Sequence, residues 1–253
     1  MNDTFACAVA FQRDMDERAA ERLVRTRHGV AHFCDSLPRV WDRNFLAVDP
    51  GTEATAADLA LEAEAAQSVA RLRHRKISVP DEALGERVSL DFVRRGWTVH
   101  EYLVMPHSDP PAEVDTSTTV ELGAEDLIPV WRQGIRESTP DDETVRQLVE
   151  AQIRRRDAVD VRYLAALAND RIAAYCELFS DGVVGQIESV MCLEEFRGRG
   201  LGKAVVARAL AESLAAHELT FLVADAHDWP KELYRKLGFA EAGRIWDFVR
   251  KTE

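Results

Sequence analysis

A glycine-rich segment lies between a stretch that alternates like a β-strand and a stretch with the periodicity of a helix. Residues 185–193 alternate between two faces, and residues 204–214 carry apolar side chains at helical spacing. One predicted strand face holds Ile187, Ser189, Met191 and Leu193, and the other holds Glu188, Val190 and Cys192. A glycine-rich strand-to-helix junction exposes unpaired N–H groups at the positive end of the helix dipole, which favours a phosphate or pyrophosphate ligand.

Three phosphate-binding motifs can be compared with this segment. A P-loop would need a glycine at Arg197 and a hydroxyl side chain at Ala204. A dinucleotide fingerprint, G-x-G-x-x-G, would need a glycine at Lys203 or at Val205. The pattern R-x-x-G-x-G fits residues 197–202, and it resembles the coenzyme A pyrophosphate loop of the GCN5-related N-acetyltransferase (GNAT) family. A basic glycine-rich turn without a ligand is the alternative.

This resemblance implies two sets of coenzyme-binding residues. The pyrophosphate would lie on the backbone of the loop formed by Arg197, Gly198, Arg199, Gly200, Leu201, Gly202 and Lys203. The preceding strand, at Val190, Met191 and Cys192, would offer a backbone N–H to the thioester carbonyl and would pair with the pantetheine arm. Glycines at 200 and 202 have no Cβ, so a ligand can approach their backbone closely.

A second segment, residues 225–239, resembles the other signature of the family, a short helix that ends in L-Y-x-x-L-G-F. Pro230 suits the first helical position, Asp228 suits the N-cap, and Gly238 suits the C-terminal stop. The family usually has an asparagine near the position of His227, and its side chain contacts the pantetheine arm. A histidine can still donate a hydrogen bond there, so His227 is included among the predicted coenzyme-binding residues.

Acyl transfer from a thioester to an amine needs a neutral amine, a polarised carbonyl and a proton for the departing thiolate. Tyr234 matches the family tyrosine whose hydroxyl points at the coenzyme sulfur, which makes it the candidate general acid; the alternative is an aromatic ring packed under the last strand. Glu188 is the candidate base, and an ordinary ion-paired strand acid is the alternative. Glu177 is the second candidate base. Cys192 could accept the acetyl group, but a small buried thiol is the simpler interpretation.

The second half of the chain carries a complete set of elements for this family. Residues 106–111, three of which are proline, mark the best boundary, which predicts domains at residues 1–110 and 111–253. Beyond the boundary, the pattern predicts the order β-α-α-β-β-β-α-β-α-β, with a tight turn at Asn169-Asp170. The resemblance covers residues 118–251. The fold class predicted from it is α/β, with a mixed sheet.

The first half resembles a degenerate copy of the same plan. Strands are predicted at residues 44–48, 75–79 and 99–105, and helices at residues 55–69 and 81–95. The loop Asp49-Pro50-Gly51-Thr52-Glu53 precedes its central helix and contains no arginine, one glycine and two acids that would repel a pyrophosphate. This half is interpreted as a tandem GNAT-like domain that has lost its coenzyme loop, a layout similar to that of mycothiol synthase-like proteins. A coincidence of two ordinary αβ patterns is the alternative.

Composition narrows the classes of partner. The formal charge of −12 over 253 residues disfavours nucleic acid, and no apolar run approaches the length of a membrane helix. Four cysteines without metal-like spacing predict reduced, buried thiols and no metal site, and the chain is expected to be cytoplasmic. A homodimer is left open.

Together these patterns predict an acetyl-CoA-dependent N-acetyltransferase with a small-molecule or peptide amine as acceptor. Direct attack in a ternary complex is the expected route, with the acceptor bound between the two halves. The alternative is a non-catalytic acyl-CoA-binding or regulatory protein that keeps the loop and has lost turnover. The sequence identifies neither the acceptor nor the length of the acyl chain, since family pockets are built from variable segments.

Overall fold

The computed structural model describes residues 3–109 and 113–252, and within them the chain forms seven α-helices and eleven strands. The helices are α1 (Asp3–Ala19), α2 (Ala56–Val69), α3 (Glu82–Arg94), α4 (Ala124–Ser138), α5 (Asp142–Arg154), α6 (Leu201–Ala216) and α7 (Pro230–Lys236). The strands are β1 (Arg22–Arg25), β2 (Gly29–Phe33), β3 (Phe45–Val48), β4 (His74–Val79), β5 (Thr98–Pro106), β6 (Thr119–Leu122), β7 (Asp160–Ala168), β8 (Arg171–Ser180), β9 (Val184–Cys192), β10 (Leu219–Asp225) and β11 (Gly243–Lys251).

All eleven strands belong to one mixed sheet, in the order β1-β2-β3-β4-β11-β5-β10-β9-β8-β7-β6. Most neighbours are antiparallel, whereas β3 with β4 and β9 with β10 are parallel pairs. Helices α2, α3, α6 and α7 pack on one face of this sheet, and α1, α4 and α5 pack on the other. The predicted mixed α/β sheet is confirmed.

The two halves repeat the same order of elements. Helix α1 begins a run of α-β-β-β-α-β-α-β that ends at β5, and α5 begins an identical run that ends at β11. The last strand of each run pairs with a strand of the other half: β5 pairs with β10 of the second half, and β11 pairs with β4 of the first half. The final strands β5 and β11 also pair with each other, so the sheet is continuous through the centre.

The predicted order of the second half is confirmed in full, from β6 to β11. The Asn169-Asp170 turn has φ values of 52° and 58°, the left-handed geometry of a tight hairpin. Pro230 occupies the first position of α7, as predicted. The N-cap prediction was wrong, because Trp229 lies at that position and Asp228 instead accepts a hydrogen bond from the Trp229 N–H at 2.7 Å. Gly238, with φ 91°, follows the helix as expected.

In the first half, the predicted elements exist, but three others precede them. Helix α1 and strands β1 and β2 lie before the region that the pattern analysis covered. Strand β1 is exposed at all four positions, so it lacks the apolar alternation by which a strand is recognised. The predicted domain boundary falls at residues 110 and 111, which lie outside the described residues.

Strand β9 corrects the predicted alternation of faces. Two residues, Ser189 and Val190, lie opposite Cys176 of β8, and Ser189 has a left-handed φ of 54°. This is a β-bulge, and it moves the side chains after it to the other face. Ile187, Val190 and Cys192 therefore pack into the same core under α6, although the alternation had placed Ile187 on the opposite face.

Candidate functional site

The glycine turn before α6 exposes the start of that helix. Gly198 and Gly200 have φ values of 76° and 79°, a region that suits glycine, and an added Cβ at either position would have no neighbour within 4 Å. Gly200 is the N-cap of α6 and supplies no side-chain cap. The first N–H groups of α6 are therefore left without a capping side chain at the positive end of the helix dipole.

The basic side chains of this turn fix its shape. Arg197 Nε donates to the backbone oxygen of Cys192 at 3.2 Å, and Arg199 Nη2 donates to the backbone oxygen of Glu195 at 3.2 Å. Arg199 also lies over the ring of Phe196 at 5.4 Å. Leu201, Gly202 and Lys203 form the first turn of α6. The seven predicted loop residues thus form one continuous turn. Its Arg197 N–H donates to the Glu194 oxygen at 3.2 Å, whereas the N-cap Gly200 offers no side chain to the first N–H groups of α6.

Next to this turn, strands β9 and β10 part. Their parallel ladder runs from Val184 opposite Leu219 to Ile187 opposite Leu222, and it ends there. Beyond that point an opening of about 240 Å³ separates the strands, and we call it the strand gap. The predicted residues Val190, Met191 and Cys192 continue β9 past the end of the ladder, so this edge of the strand has no partner in β10. An extended ligand could pair with such an edge.

Tyr234 of α7 lines the strand gap. Its side chain is 7% exposed and packs into the core under α6, with an edge-on contact to Phe239 at 6.4 Å between ring centroids. Burial, with the nearby Glu188 carboxylate, raises the pKa of the Tyr234 phenol to about 12. The phenol therefore keeps its proton at any physiological pH, as a proton donor must.

Glu188 lies on β9 at the edge of the strand gap and also lines a larger cavity on the other face of the sheet. Gln186 Nε2 donates to Glu188 Oε2 at 2.6 Å, and the Ser189 N–H donates to Glu188 Oε1 at 3.2 Å. These bonds orient the carboxylate. Of the residues predicted as base, Glu188 alone lines both openings, whereas Glu177 lines neither of them.

Glu177 of β8 faces Glu188 across the β8–β9 ladder. Its side chain is 1% exposed, and its Oε1 has no hydrogen-bond partner among the described residues. Burial raises the pKa of the Glu177 carboxyl to about 7, and the Glu188 charge acts in the same direction. Two facing carboxyls therefore share this part of the sheet, one buried and one at the strand gap.

The larger cavity measures about 370 Å³ and lies between the two halves, and we call it the central cavity. Helix α1 covers it, and strands β3, β4, β11, β5, β10 and β9 form its floor. Glu188, Val223 and Asp225 line both this cavity and the strand gap, so the two spaces meet at these residues. A group bound in the central cavity and a group bound in the strand gap would thus both lie against these residues.

Charged side chains on the cavity floor were not found by sequence reasoning. Lys76 of β4 pairs with Asp42 and, at 2.7 Å, with Asp247 of β11. Because Asp42 lies before β3 and Asp247 near the end of the chain, no local pattern connects them. In the sequence, Lys76 follows two other basic residues and Asp247 lies between Trp246 and Phe248, and neither position shows that the two side chains meet.

Three further residues, His227, Cys192 and Cys7, line neither the strand gap nor the central cavity. The His227 side chain is 79% exposed on the turn after β10, and its Nε2 lies 3.5 Å from Glu101. Burial raises the pKa of the Cys192 thiol, which lies against the core under α6. Cys7 is exposed, so the expectation of buried thiols was wrong for that residue.

Across residues 3–109 and 113–252, no group of three His, Cys, Asp or Glu side chains is placed to hold a metal ion. Among the helices of the described part of the chain, none has the length and apolar character needed to cross a membrane.

A comparison with known protein families finds a match within the second half of the chain. Residues 128–239 match the model of the acetyltransferase (GNAT) family. This segment contains the glycine turn, the strand gap and Tyr234.

Solved structures match nearly the whole chain. A conserved protein of unknown function from Staphylococcus epidermidis is 16% identical with a TM-score of 0.70, covering 92% of this chain and 95% of its own. A GNAT protein from Kribbella flavida is 17% identical with a TM-score of 0.64, covering 98% of this chain and 96% of its own. A tandem GNAT protein from the clavulanic acid biosynthesis pathway is 18% identical with a TM-score of 0.53, covering 90% of this chain and 81% of its own. These likenesses show a shared GNAT-like fold.

Proposed function

Because residues 128–239 form a GNAT acetyltransferase domain in a chain of GNAT-like fold, we propose that the protein transfers an acetyl group from acetyl-CoA to a primary amine. The acceptor would lie in the central cavity and attack directly in a ternary complex. One observation carries this proposal: Glu188 lines both the central cavity and the strand gap, and Tyr234 lines the strand gap opposite it.

The residues around the strand gap suit acetyl-CoA as the second substrate. The uncapped start of α6 offers N–H groups and a positive dipole end to the pyrophosphate. The free edge of β9 offers backbone groups to the pantetheine arm, and His227 lies on the neighbouring turn. Acetyl-CoA supplies an activated thioester. A backbone N–H among Val190, Met191 and Cys192 would polarise its carbonyl.

The protein's own groups would handle the protons. Glu188, held by Gln186 and by the Ser189 N–H, would take a proton from the amine directly or through water. Tyr234, whose phenol stays protonated, would donate to the departing thiolate. Cys192 is not used, because its thiol is partly buried and its pKa is raised, which disfavours the thiolate a nucleophile needs.

We propose a single coenzyme site, in the domain of residues 111–253. In the domain of residues 1–110, the start of α2 is closed by its own side chains: Thr55 and Asp58 form a capping box, and Asp49 forms ion pairs with Arg13 and Arg25. No comparable group caps Gly200. A protein that only binds acyl-CoA is the competing function, but a buried, protonated Tyr234 beside Glu188 favours turnover.

The experiment has two arms. Acetyl-CoA should raise the Tm of the protein by mass action, with a stabilisation of about 2.7 kcal/mol at a concentration of about 100 Kd. Release of the free coenzyme thiol should then be followed with a panel of primary amines. Binding with release for at least one amine supports the proposal, and binding without release for any amine supports the binding protein instead. No rise in Tm would exclude both.

A further inference from the structure

One wall of the central cavity carries two arginines whose guanidinium groups have no direct ion-pair partner among the described residues. Arg43 lies just before β3 in the first half, and Arg155 lies just after α5 in the second half. Neither guanidinium forms an ion pair or a hydrogen bond with any group in the described part of the chain. Arg43 Nη2 and Arg155 Nε are both buried and have no hydrogen-bond partner there.

Arg43 is only 8% exposed, so its charge has lost most of its contact with water. A buried guanidinium without a partner is unfavourable, and proteins seldom keep one unless it is paired. Arg155 lies close enough to Arg43 for the two cations to repel, which adds to this penalty. Its other contact is the ring of Phe179, 5.0 Å from the guanidinium carbon. The cavity wall therefore carries guanidinium N–H groups that have no acceptor among the described residues.

Three acids act electrostatically on these arginines, and none of them contacts either guanidinium within ion-pairing distance: Asp42 and Glu177 are two of them, and Asp16 of α1 is the third. Asp16 lies within electrostatic range of both arginines. Burial raises the pKa of the Asp16 carboxyl to about 6, despite the attraction of both arginines. Asp42 is already paired with Lys76, so none of the three acids supplies either guanidinium with an ion-pair partner.

The other cations of the cavity are already paired. Lys76 has two carboxylate partners, Asp42 and Asp247. Arg13 has Glu17 at 2.9 Å and Asp49 at 3.0 Å. Arg43 and Arg155 are therefore the cations of this cavity that remain available to an anion, each with N–H donors of fixed geometry.

The carboxylates that line both the cavity and the strand gap lie where the proposed transfer would occur. Glu188 and Asp225 are at that junction. An ammonium group would be attracted there, and an anionic group would be attracted to the two arginines. We infer that the acceptor is an amine that also carries a carboxylate, such as an amino acid or a peptide end, and that Arg43 and Arg155 bind this carboxylate. The amine end of this inference rests on the proposed function, whereas the carboxylate site does not.

Matched pairs of compounds test the carboxylate site without turnover. The pairs are lysine with cadaverine, phenylalanine with phenethylamine, and 4-aminobutanoate with butylamine, and each member of a pair differs from the other by one carboxylate. Affinity is measured by the rise in Tm that each compound produces. The carboxylate member of at least one pair should stabilise the wild-type protein more. Arg43→Met and Arg155→Met should each lower the affinity for that carboxylate compound by roughly ten- to a hundredfold.

Arg39→Met is the matched control, because it removes the same charge from an exposed ion pair with Asp141 outside the cavity. It should leave the preference unchanged. If Arg43→Met does not fold, Arg155→Met alone decides. The inference is overturned if no carboxylate stabilises the wild type more than its amine, if both variants keep the preference, or if inorganic phosphate stabilises more than every carboxylate. The acetyl-CoA-dependent rise in Tm, measured on the same samples, reports separately on the proposed function.

Discussion

The two halves of the molecule contain a strand, a loop and a helix in the same order, but they differ in how the first N–H groups of that helix are capped. Helix α6 begins at Gly200, which offers no side chain to its free N–H groups. Helix α2 begins at Thr55, whose hydroxyl accepts from the Asp58 N–H at 3.2 Å while Asp58 accepts from the Thr55 N–H at 3.0 Å. The same helix end is open to a ligand in one half and satisfied internally in the other.

The two halves also differ in one side chain near the ends of helices α3 and α7. Each helix is followed by a glycine, Gly96 after α3 and Gly238 after α7. The residue after that glycine donates its N–H to the backbone oxygen of an aromatic residue in the helix: Trp97 donates to Phe92 at 3.0 Å, and Phe239 donates to Tyr234 at 3.1 Å. The rings also meet edge-on in both pairs. Phe92, however, has no hydroxyl. Similar backbone geometry has been kept, while the group that could donate a proton occurs in the second half.

The largest effect is expected when this difference is removed. Tyr234→Phe gives the second half the side chain that the first half has, and it deletes the proton donor with little change in packing. We expect kcat to fall by ~10²–10⁴-fold, with acetyl-CoA affinity unchanged. Tyr163→Phe, another buried tyrosine, on β7, is the control and should keep kcat. Full kcat in Tyr234→Phe, with chemistry shown to be rate-limiting, would rule out the donor role.

The second largest effect concerns the base. Glu188→Gln should lower kcat by about 10²-fold, and the loss should be greatest at low pH, where little free amine or hydroxide is present to compensate. A pH–rate profile of the variant against the wild type measures this. Glu121→Gln changes a strand acid on β6 that pairs with Arg162 outside both openings, and it should leave the profile unchanged. An equal loss at every pH would argue against Glu188 as the base.

A pH-dependent change in stability should distinguish the halves further. The β8–β9 ladder pairs Glu177 with Glu188, whereas the β2–β3 ladder holds no acid. Since the pKa of folded Glu177 is raised to about 7, the native state binds its proton more tightly than the unfolded state. Protonation of Glu177 therefore contributes to the free energy of unfolding in full below about pH 4.5. This contribution is lost as the pH rises to about 7. Glu177→Gln should remove roughly 1–3 kcal/mol of that decline, as measured by urea unfolding at about pH 5 and about pH 8. An unchanged decline would place the titration elsewhere.

The smallest effect is expected at the closed helix start. Thr55→Ala removes the capping box of α2 and should cost about 1 kcal/mol of unfolding free energy. Acetyl-CoA affinity should not change, because this helix start binds no ligand in our account. Thr52→Ala, whose hydroxyl reaches only the His28 oxygen at 3.5 Å, should cost less. Weaker acetyl-CoA binding in Thr55→Ala would show that the first half takes part in coenzyme recognition.

The elements of the second half could be predicted because each carries a local signal. The Asn169-Asp170 turn, Pro230 and Gly238 each fix a boundary through backbone preferences that act within a few residues. The bulge at Ser189 has no such signal, because it depends on how β9 pairs with β8. Its consequence, the change of faces at Val190, was therefore out of reach of an alternation rule.

The candidate site divides in the same way. The glycine turn and Tyr234 are short motifs, so the sequence could place them. The sequence predicted an acceptor site between the two halves but not the charged lining of the central cavity, because Lys76 and Asp247 meet only through the pairing of β4 with β11, and Asp16 comes from α1. Helix α1, which covers the cavity, buries only part of one side and repeats no family motif, so nothing in the sequence pointed to it as a wall of the site.

The most direct test of the account is the number of acetyl-CoA molecules bound per chain, measured by titration calorimetry on three proteins. Gly51→Asp and Gly200→Asp are matched changes, because both glycines have a left-handed φ, 73° and 79°, and open space at the Cβ position. We expect one site in the wild type and one in Gly51→Asp. In Gly200→Asp, repulsion by the new carboxylate should weaken binding by roughly a hundredfold or more. Two sites per chain, or unweakened binding in Gly200→Asp, would contradict the claim that the coenzyme binds only at the open start of α6.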